Sequence, residues 1–307
     1  MLMEINSLRT RIAPTPSGYL HIGNAFNFLL TRLIADAHEG HVLLRIDDAD
    51  FERKRPEFVQ DIFESLEWLG IKYEEGPLNS ADFEANWSQR HRSDLYLQTL
   101  QELTHRAELF ACTCTRKQLE SSGKIAYPET CTSLHLPLNS SETAWRITVP
   151  QGTVIAVKDL LRGVVNVDLS ELSGSFVVKQ KNGEPAYQLT SLCDDVHYGI
   201  NYIVRGEDLL LSSASQLYLA QKLGKSQFEA VDFVHHKLQH DTDGQKLSKS
   251  AGAVSLQYLR KHGMSAANVY ALFCEQFLGL AGKPQSFAEL TEIFTTETHP
   301  YTALLPE

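Results

Sequence analysis

Apolar positions along the first part of the chain follow two alternating rhythms. Leu8–Ala13 predicts a short strand that ends at Pro14, and the PTPSGYLHIGN segment after it is too rich in Pro and Gly to be regular. Phe26, Leu29, Leu30, Leu33, Ile34 and Ala37 then recur at helical spacing and form one apolar stripe. Gly40 is expected to end that helix as a C-terminal glycine. His41–Ile46 is short and apolar, as a buried parallel strand requires. A second helix, Glu57–Leu69, carries Phe58, Ile62, Leu66 and Leu69 on one face and stops at Gly70. This βαβ order implies a parallel sheet with a right-handed crossover.

The rhythm changes near Glu74. A polar helix, Gln89–Ala107, leads into a cysteine-bearing stretch and then a Ser/Thr/Pro-rich segment, Tyr127–Thr143. The runs WRITV, GTVIAV, VVNVDL and SFVVKQ read as short strands, and Asn182-Gly183 is a hairpin signal. From Leu189 the strand-helix alternation resumes, with a strand over 200–205 and a helix Ser213–Leu223 before Gly224. Ser255–Leu280 reads as helical. These patterns predict an α/β nucleotide-binding sheet interrupted by an inserted domain. The expected division is a discontinuous Rossmann-like domain over 1–75 and 187–250, an α+β insertion over 76–186, and a C-terminal helical segment over 251–307.

Composition narrows the functional classes. The chain has 307 residues, 43% of them hydrophobic and 21% charged, as ordinary globular proteins do. Neither a membrane-length apolar run nor a signal-peptide apolar region is present, so a cytoplasmic protein with no membrane partner is expected. Lys and Arg number 28 against 38 Asp and Glu, a net charge of −10. That balance argues against a generic DNA binder and requires any RNA to be met by a local patch. Five cysteines in such a chain point to metal or core roles before disulfides.

Two short motifs carry the chemistry. His21-Ile22-Gly23-Asn24 falls between strand and helix, where backbone N–H groups and the helix dipole favour phosphate. Gly18 and Gly23 allow close approach of backbone to a ligand. Lys246-Leu247-Ser248-Lys249-Ser250 follows the turn Asp243-Gly244, and its paired ammonium groups suit a triphosphate clamp. Each motif alone is weak, but their order around a βαβ sheet makes coincidence improbable. Asp194-Asp195 sits within a helical run and is read as structural, not as a magnesium cage. Cys112-Thr113-Cys114 followed by Cys131 supplies three thiolates, which one further donor would close into a tetrahedral zinc site. Cys193 and Cys274 fall in apolar helical contexts and read as core.

HIGN and KLSKS resemble the two signatures of class I aminoacyl-tRNA synthetases. RIAPTPSGYLHIG, VLLRIDDAD, AYQLTSLCDDVHYGINYIVRGEDLL and QKLSKSAG extend the resemblance to the glutamyl branch, from Arg11 to Gly252. They are most similar to its short members, which act on the queuosine base of tRNA(Asp). The resemblance implies a Rossmann-like class I catalytic domain with an inserted acceptor-binding-type domain. It implies ATP as substrate with Mg2+, L-glutamate as the amino acid, and the anticodon arm of tRNA(Asp) as partner. It assigns Arg11 and Thr15 to amino-acid contacts, and Tyr187 and Arg205 to the glutamate side chain. His21 would stabilise the α-phosphate transition state, with Gly23 and Asn24 beside ATP, and Lys249 would bind ATP together with Lys246 and Ser248. It names Cys112, Cys114, Tyr127 and Cys131 as ligands of a structural Zn2+. Two departures stand out. Asp47 replaces the branch's usual Glu at the substrate ammonium, and Asn24 replaces the final His of the signature.

Three readings compete: glutamate transfer to queuosine, a minimal glutamyl-tRNA synthetase charging a 3′ end, and a non-catalytic synthetase-like module that binds tRNA or a partner. A small-molecule nucleotidyltransferase shares the first motif but requires neither RGED, AYQL nor the cysteine set. The stretch after Ser250 reads as a helical stem without an anticodon-gripping platform, which favours the queuosine reading.

Overall fold

The computed structural model describes residues 7–121, 123, 125–238 and 254–306. Its strands are β1 (Arg9–Ile12), β2 (His41–Leu44), β3 (Leu109–Cys112), β4 (Ala144–Ile147), β5 (Val154–Asp159), β6 (Gly163–Asp168), β7 (Phe176–Lys179), β8 (Tyr202–Gly206) and β9 (Asp232–His236). The chain divides into two compact units. The first comprises Met1–His91, Tyr202–Glu207 and Phe233–Glu307, and the second Arg92–Asn201 and Asp208–Asp232. The sequence pattern places this break at 76 and 186. In the structure the helix Tyr187–His197 belongs with the helix Ser93–Arg106, for an electrostatic reason given below.

In the first unit β1 and β2 pair in parallel, from Arg9 opposite His41 to Ile12 opposite Leu44. β1 also packs beside β8, and β8 neighbours β9. The helix Ile22–Ala37 that joins β1 to β2 is buried more widely than a single stripe, with Phe28, Thr31 and Arg32 covered as well. The reason is packing on two sides: β1 and β8 take one face, and the helix Phe287–Thr296 takes another. Phe26 meets Phe273 and Phe277 edge-on, at centroid distances of 5.5 and 5.6 Å. Full burial of side chains this size stabilises the fold by about 1.5–3 kcal/mol each.

Gly40 has a role other than the expected one. The left-handed residue at the end of this helix is Glu39 (φ 49°), not Gly40. A Cβ on Gly40 would lie 2.9 Å from the Leu8 carbonyl oxygen, so the glycine permits close approach to the chain entering β1. Gly70 (φ 62°) and Gly224 (φ 65°) do take the left-handed turn after their helices.

The outer edge of β2 is covered by the segment at Glu74, whose N–H bonds the Val42 carbonyl at 3.0 Å. Its carboxylate accepts the Val42 N–H at 2.8 Å and takes the Arg32 guanidinium on both oxygens at 2.9 Å.

The second unit contains an antiparallel sheet in the order β3-β4-β7, with a register shift at Trp145/Arg146, and an antiparallel β5-β6 hairpin. Asn182-Gly183 does make a turn, closed by Gln180 N–H to the Glu184 carbonyl at 2.7 Å. Its second arm is brief, because the chain enters the helix at Tyr187. That helix is tied to Ser93–Arg106 by Asp194, which is fully buried. Arg92 grips its carboxylate through Nε at 2.7 Å and Nη2 at 3.0 Å, and the Tyr96 hydroxyl donates at 2.8 Å. Asp194 is therefore structural. No helix among the described residues is long and apolar enough to cross a membrane.

Burial alone would raise the Glu74 carboxyl, but the Val42 N–H and Arg32 outweigh it and hold it below its ordinary 4.5. A carboxylate lowered in the native state stabilises above its unfolded value, and that contribution fades as pH falls through the native one. Glu74→Gln is accordingly expected to lower the thermal midpoint at pH 7. The gap to wild type should narrow below pH 4.5, measured by circular dichroism across the acid range.

Candidate active site and candidate metal centre

His21 caps the helix Ile22–Ala37 with extended backbone (φ −122°, ψ 173°). Its Nδ1 accepts the Gly23 N–H at 3.2 Å, and Asn24 Oδ1 accepts the His21 N–H at 3.0 Å. Asn24, the departure from the signature, thus closes a reciprocal capping box. A Cβ on Gly23 would come within 3.1 Å of the His21 ring, so the glycine leaves that imidazole its place.

The residue before His21 is held from two directions. The Leu20 N–H donates to Asp61 Oδ2 at 3.2 Å, and the Leu20 carbonyl accepts the Leu256 N–H at 2.7 Å. His21 itself bridges to Ser255. Arg260 completes the arrangement, reaching Asp61 and Glu64 at 2.9 Å through Nη2 and Ser65 at 2.6 Å through Nη1. Burial pushes the Asp61 carboxyl up, and the Leu20 amide and Arg260 offset this only in part. Close to the other end of the same helix turn, Asn27 Nδ2 and His236 Nε2 lie 3.0 Å apart, and His236 Nδ1 lies 3.0 Å from the Lys237 carbonyl. This pattern fits a neutral imidazole donating from Nδ1 and accepting at Nε2.

Arg11 on β1 and Arg205 on β8 are both buried, at 5% and 3% exposure. Arg11 Nη1 reaches the Val204 carbonyl at 3.4 Å, which sets the two arginines on neighbouring strands. The Arg205 guanidinium lies 5.6 Å from the centre of the Phe233 ring. Thr15 is exposed on the loop after β1. Asp47, also buried, forms a two-point pair with Arg45, Nε to Oδ1 at 2.7 Å and Nη2 to Oδ2 at 3.0 Å. Tyr187 begins its helix in the second unit and is 41% exposed. Lys246, Ser248 and Lys249 lie outside the described residues.

The pattern reading passed over Arg45, Asp61, Arg260 and His236. Signals for some were present. Arg45 stands two residues from Asp47, hence on the same side of an extended chain. Asp61 and Ser65 are polar residues four apart, bordering an apolar helix face.

The cysteines converge in the second unit. Cys112, Cys114 and Cys131 bring their sulfurs within 4.8 Å of one another, with Cys114 and Cys131 3.5 Å apart. The Tyr127 hydroxyl is 3.4 Å from Cys112 Sγ and 3.9 Å from Cys114 Sγ, and it accepts the Cys131 N–H at 3.1 Å. A tetrahedron with Zn–S bonds of about 2.3 Å has edges of about 3.8 Å, so these four donors fit zinc. Burial resists ionisation of Cys131, but hydrogen bonds from Tyr127 and Thr113 bring the thiol down to about 6. Burial and the adjacent sulfurs push Cys114 up to about 11. Cys193 and Cys274 are buried away from this group, as core residues.

A capped helix N-terminus thus follows the first strand of a parallel pair, and two buried arginines stand on adjacent strands. The family model for "tRNA synthetases class I (E and Q), catalytic domain" matches residues 7–301, and the chain belongs to that family. It is 36% identical over 267 residues to a protein named glutamate--tRNA ligase 2 from Halorhodospira halophila, covering 83% of this chain and 54% of that one. A glutamate--tRNA ligase 2 from Syntrophus aciditrophicus is 34% identical over 310 residues, covering 95% and 62%. The chain thus spans little more than half the length of these relatives. The solved glutamate-tRNA synthetase of Elizabethkingia anophelis shares the fold with a TM-score of 0.77 at 24% identity, over 94% of this chain and 65% of that one.

The metal reading has a direct check. Purified protein is expected to hold about one zinc per chain by elemental analysis. Cys112→Ser should lower that content and the thermal midpoint together, and chelation should reproduce the loss of stability in wild type. Unchanged stability after complete metal removal counts against a structural zinc.

Proposed function

We propose that this chain activates L-glutamate with ATP and transfers it to the queuosine base of tRNA(Asp), as glutamyl-queuosine tRNA(Asp) synthetases do. The observation that carries the activation step is the clamped, capped helix N-terminus at His21, in the same unit as buried Arg11 and Arg205. In the proposed reaction a glutamate α-carboxylate oxygen attacks the ATP α-phosphorus. The bond to the β-phosphate bridging oxygen breaks, pyrophosphate leaves, and glutamyl-adenylate remains. The helix N–H groups and His21 stabilise charge on the α-phosphate, so catalysis is positioning and electrostatics. Magnesium accompanying ATP supplies charge neutralisation on the phosphates. Lys246, Ser248 and Lys249 are assigned to the triphosphate on their sequence alone.

Arg205 and Arg11 are assigned to the substrate's carboxylates, through charge-assisted pairs. Asp47 is assigned to the ammonium. Its carboxylate is held in place by the two-point pair with Arg45. Cys112, Cys114, Tyr127 and Cys131 would hold a zinc that fixes their loop and takes no part in the chemistry.

A second reading is charging of a tRNA 3′ end, favoured by the names of the relatives, which are glutamate--tRNA ligases. The queuosine reading is supported by the resemblance of the motifs to the short members of the branch. A non-catalytic module is disfavoured by retention of His21, Gly23 and Lys249.

Two measurements test this. Pyrophosphate exchange is expected with glutamate and without tRNA. With glutamine it should fall at least tens-fold, since an Arg that loses its anionic partner costs about 2 kcal/mol. Equal exchange with both amino acids overturns the arginine assignment, and none with either favours the binding module. Labelled glutamate should then pass to queuosine-containing tRNA(Asp) whose 3′-terminal adenosine has been removed by periodate and elimination. Labelling that vanishes with the adenosine assigns the acceptor to the 3′ end instead.

A further inference from the structure

The metal reading leaves one buried cation of the second unit unexplained. Arg146 on β4 is 8% exposed, and among the described residues no carboxylate oxygen lies within 4.0 Å of it. Its Nη1 donates to the Ser175 carbonyl at 2.7 Å, while its buried Nε has no hydrogen-bond partner. A buried guanidinium without a counter-charge is costly, and such groups are otherwise paired. What faces it is Tyr127: the guanidinium carbon lies 3.8 Å from the centre of that ring. The opposite edge of the ring carries the hydroxyl that sits 3.4 Å from Cys112 Sγ.

We propose that Arg146 is the counter-cation of the metal centre, acting through the face of Tyr127. Three thiolates around a divalent ion leave the cluster anionic whether Tyr127 binds as phenol or phenolate. A cation over the ring face draws on its electron density and fixes the plane in which the hydroxyl points at the metal. Arg146 touches no metal. It is a positioning residue, and its missing acid partner is the cluster itself. The geometry of β4 supports this. Cys112 and Phe110 pair across the sheet with Ala144 and Arg146, so one strand pair sets both the ligand and its cation.

This inference depends on the zinc reading, and the experiment separates the two. Zinc affinity is measured by chelator competition, and the ligand field by the absorption spectrum of the Co(II)-substituted protein, for wild type, Arg146→Met, Arg146→Lys and Tyr127→Phe. Arg146→Met is expected to bind zinc at least tenfold more weakly and to shift the Co(II) bands. Arg146→Lys keeps the charge and should recover most of the affinity. On a Tyr127→Phe background Arg146→Met should cost less, because the ring that carries its effect no longer bears a ligand. If Arg146→Met fails to fold, Arg146→Lys decides against wild type: affinity kept within a few-fold supports the proposal, and a loss of tenfold or more overturns it. A Lys variant that loses affinity as fully as Met points to packing and overturns the proposal. So does wild-type zinc affinity in Arg146→Met, which leaves the zinc site itself standing. Wild-type protein that binds neither zinc nor Co(II) sinks both.

Discussion

Much of the first unit's candidate chemistry depends on one buried carboxylate. Asp61 is 2% exposed, yet it accepts the Leu20 N–H and pairs with Arg260. The peptide it holds immediately precedes His21, so the direction of the capped helix N-terminus is set from the following helix, Pro56–Trp68. Arg260 brings the segment Ser255–Arg260 to the same carboxylate, while Leu256 takes the Leu20 carbonyl. Burying such an acid is unfavourable by itself, and its raised pKa reflects that. Removing the arginine from a buried pair of this kind costs about 3–5 kcal/mol, because an uncompensated charge remains. The geometry of the capped helix N-terminus at His21 is thus maintained by an ion pair placed behind it.

The sequence made the βαβ unit, the first motif and the cysteine cluster legible, because each depends on local spacing. Helical period, strand length and Cys-x-Cys separation are properties of short windows. Long-range partners were not legible. Asp61 and Arg260 are 199 positions apart, and Arg92 and Asp194 are 102 apart. Gly40 shows a subtler failure. A glycine shortly after a helix fits a capping rule, but Gly40 stands three residues past Ala37; here the chain entering β1 required the missing side chain, and Glu39 took the left-handed turn. The helix Ile22–Ala37 looked one-sided because its period was strong. Its polar members Thr31 and Arg32 are buried too, Thr31 bonding the Asn27 carbonyl and Arg32 pairing with Glu74.

Hydrogen-bonding partners account for three of the four acids in the two Asp-Asp pairs without invoking a metal cage. In the first, Asp47 binds Arg45, while Asp48 accepts from Ser88 Oγ at 2.7 Å, the Gln89 N–H at 2.7 Å and Lys54 at 3.1 Å. In the second, Asp194 binds Arg92 and Tyr96. Adjacent carboxylates repel when both are buried in one place. Successive side chains of an extended or helical segment point in different directions, so Asp47, Asp48 and Asp194 each meet their own donors. Asp47 and Asp194 each have a bidentate arginine, the partner best able to repay desolvation.

Charge burial also decides how the acidic net charge bears on an RNA substrate. Among the described residues the buried charged side chains are Asp47, Asp48, Asp61, Asp159, Asp194 and Asp195, against Arg11, Arg32, Arg45, Arg92, Arg146 and Arg205. These six acids and six arginines cancel formally, so among the described residues the buried charges contribute nothing to the chain's net charge of −10. Averaged over a chain of this net charge the interaction with phosphate is repulsive, and non-specific binding draws its strength from the release of many counterions. Recognition of the proposed tRNA therefore has to come from a few contacts placed where lysines or arginines cluster locally. Binding of that kind depends less steeply on salt than binding by a basic protein, since the slope counts neutralised phosphates. It also makes discrimination against bulk RNA an intrinsic property of the surface, because a nucleic acid that misses the local contacts meets only like charge.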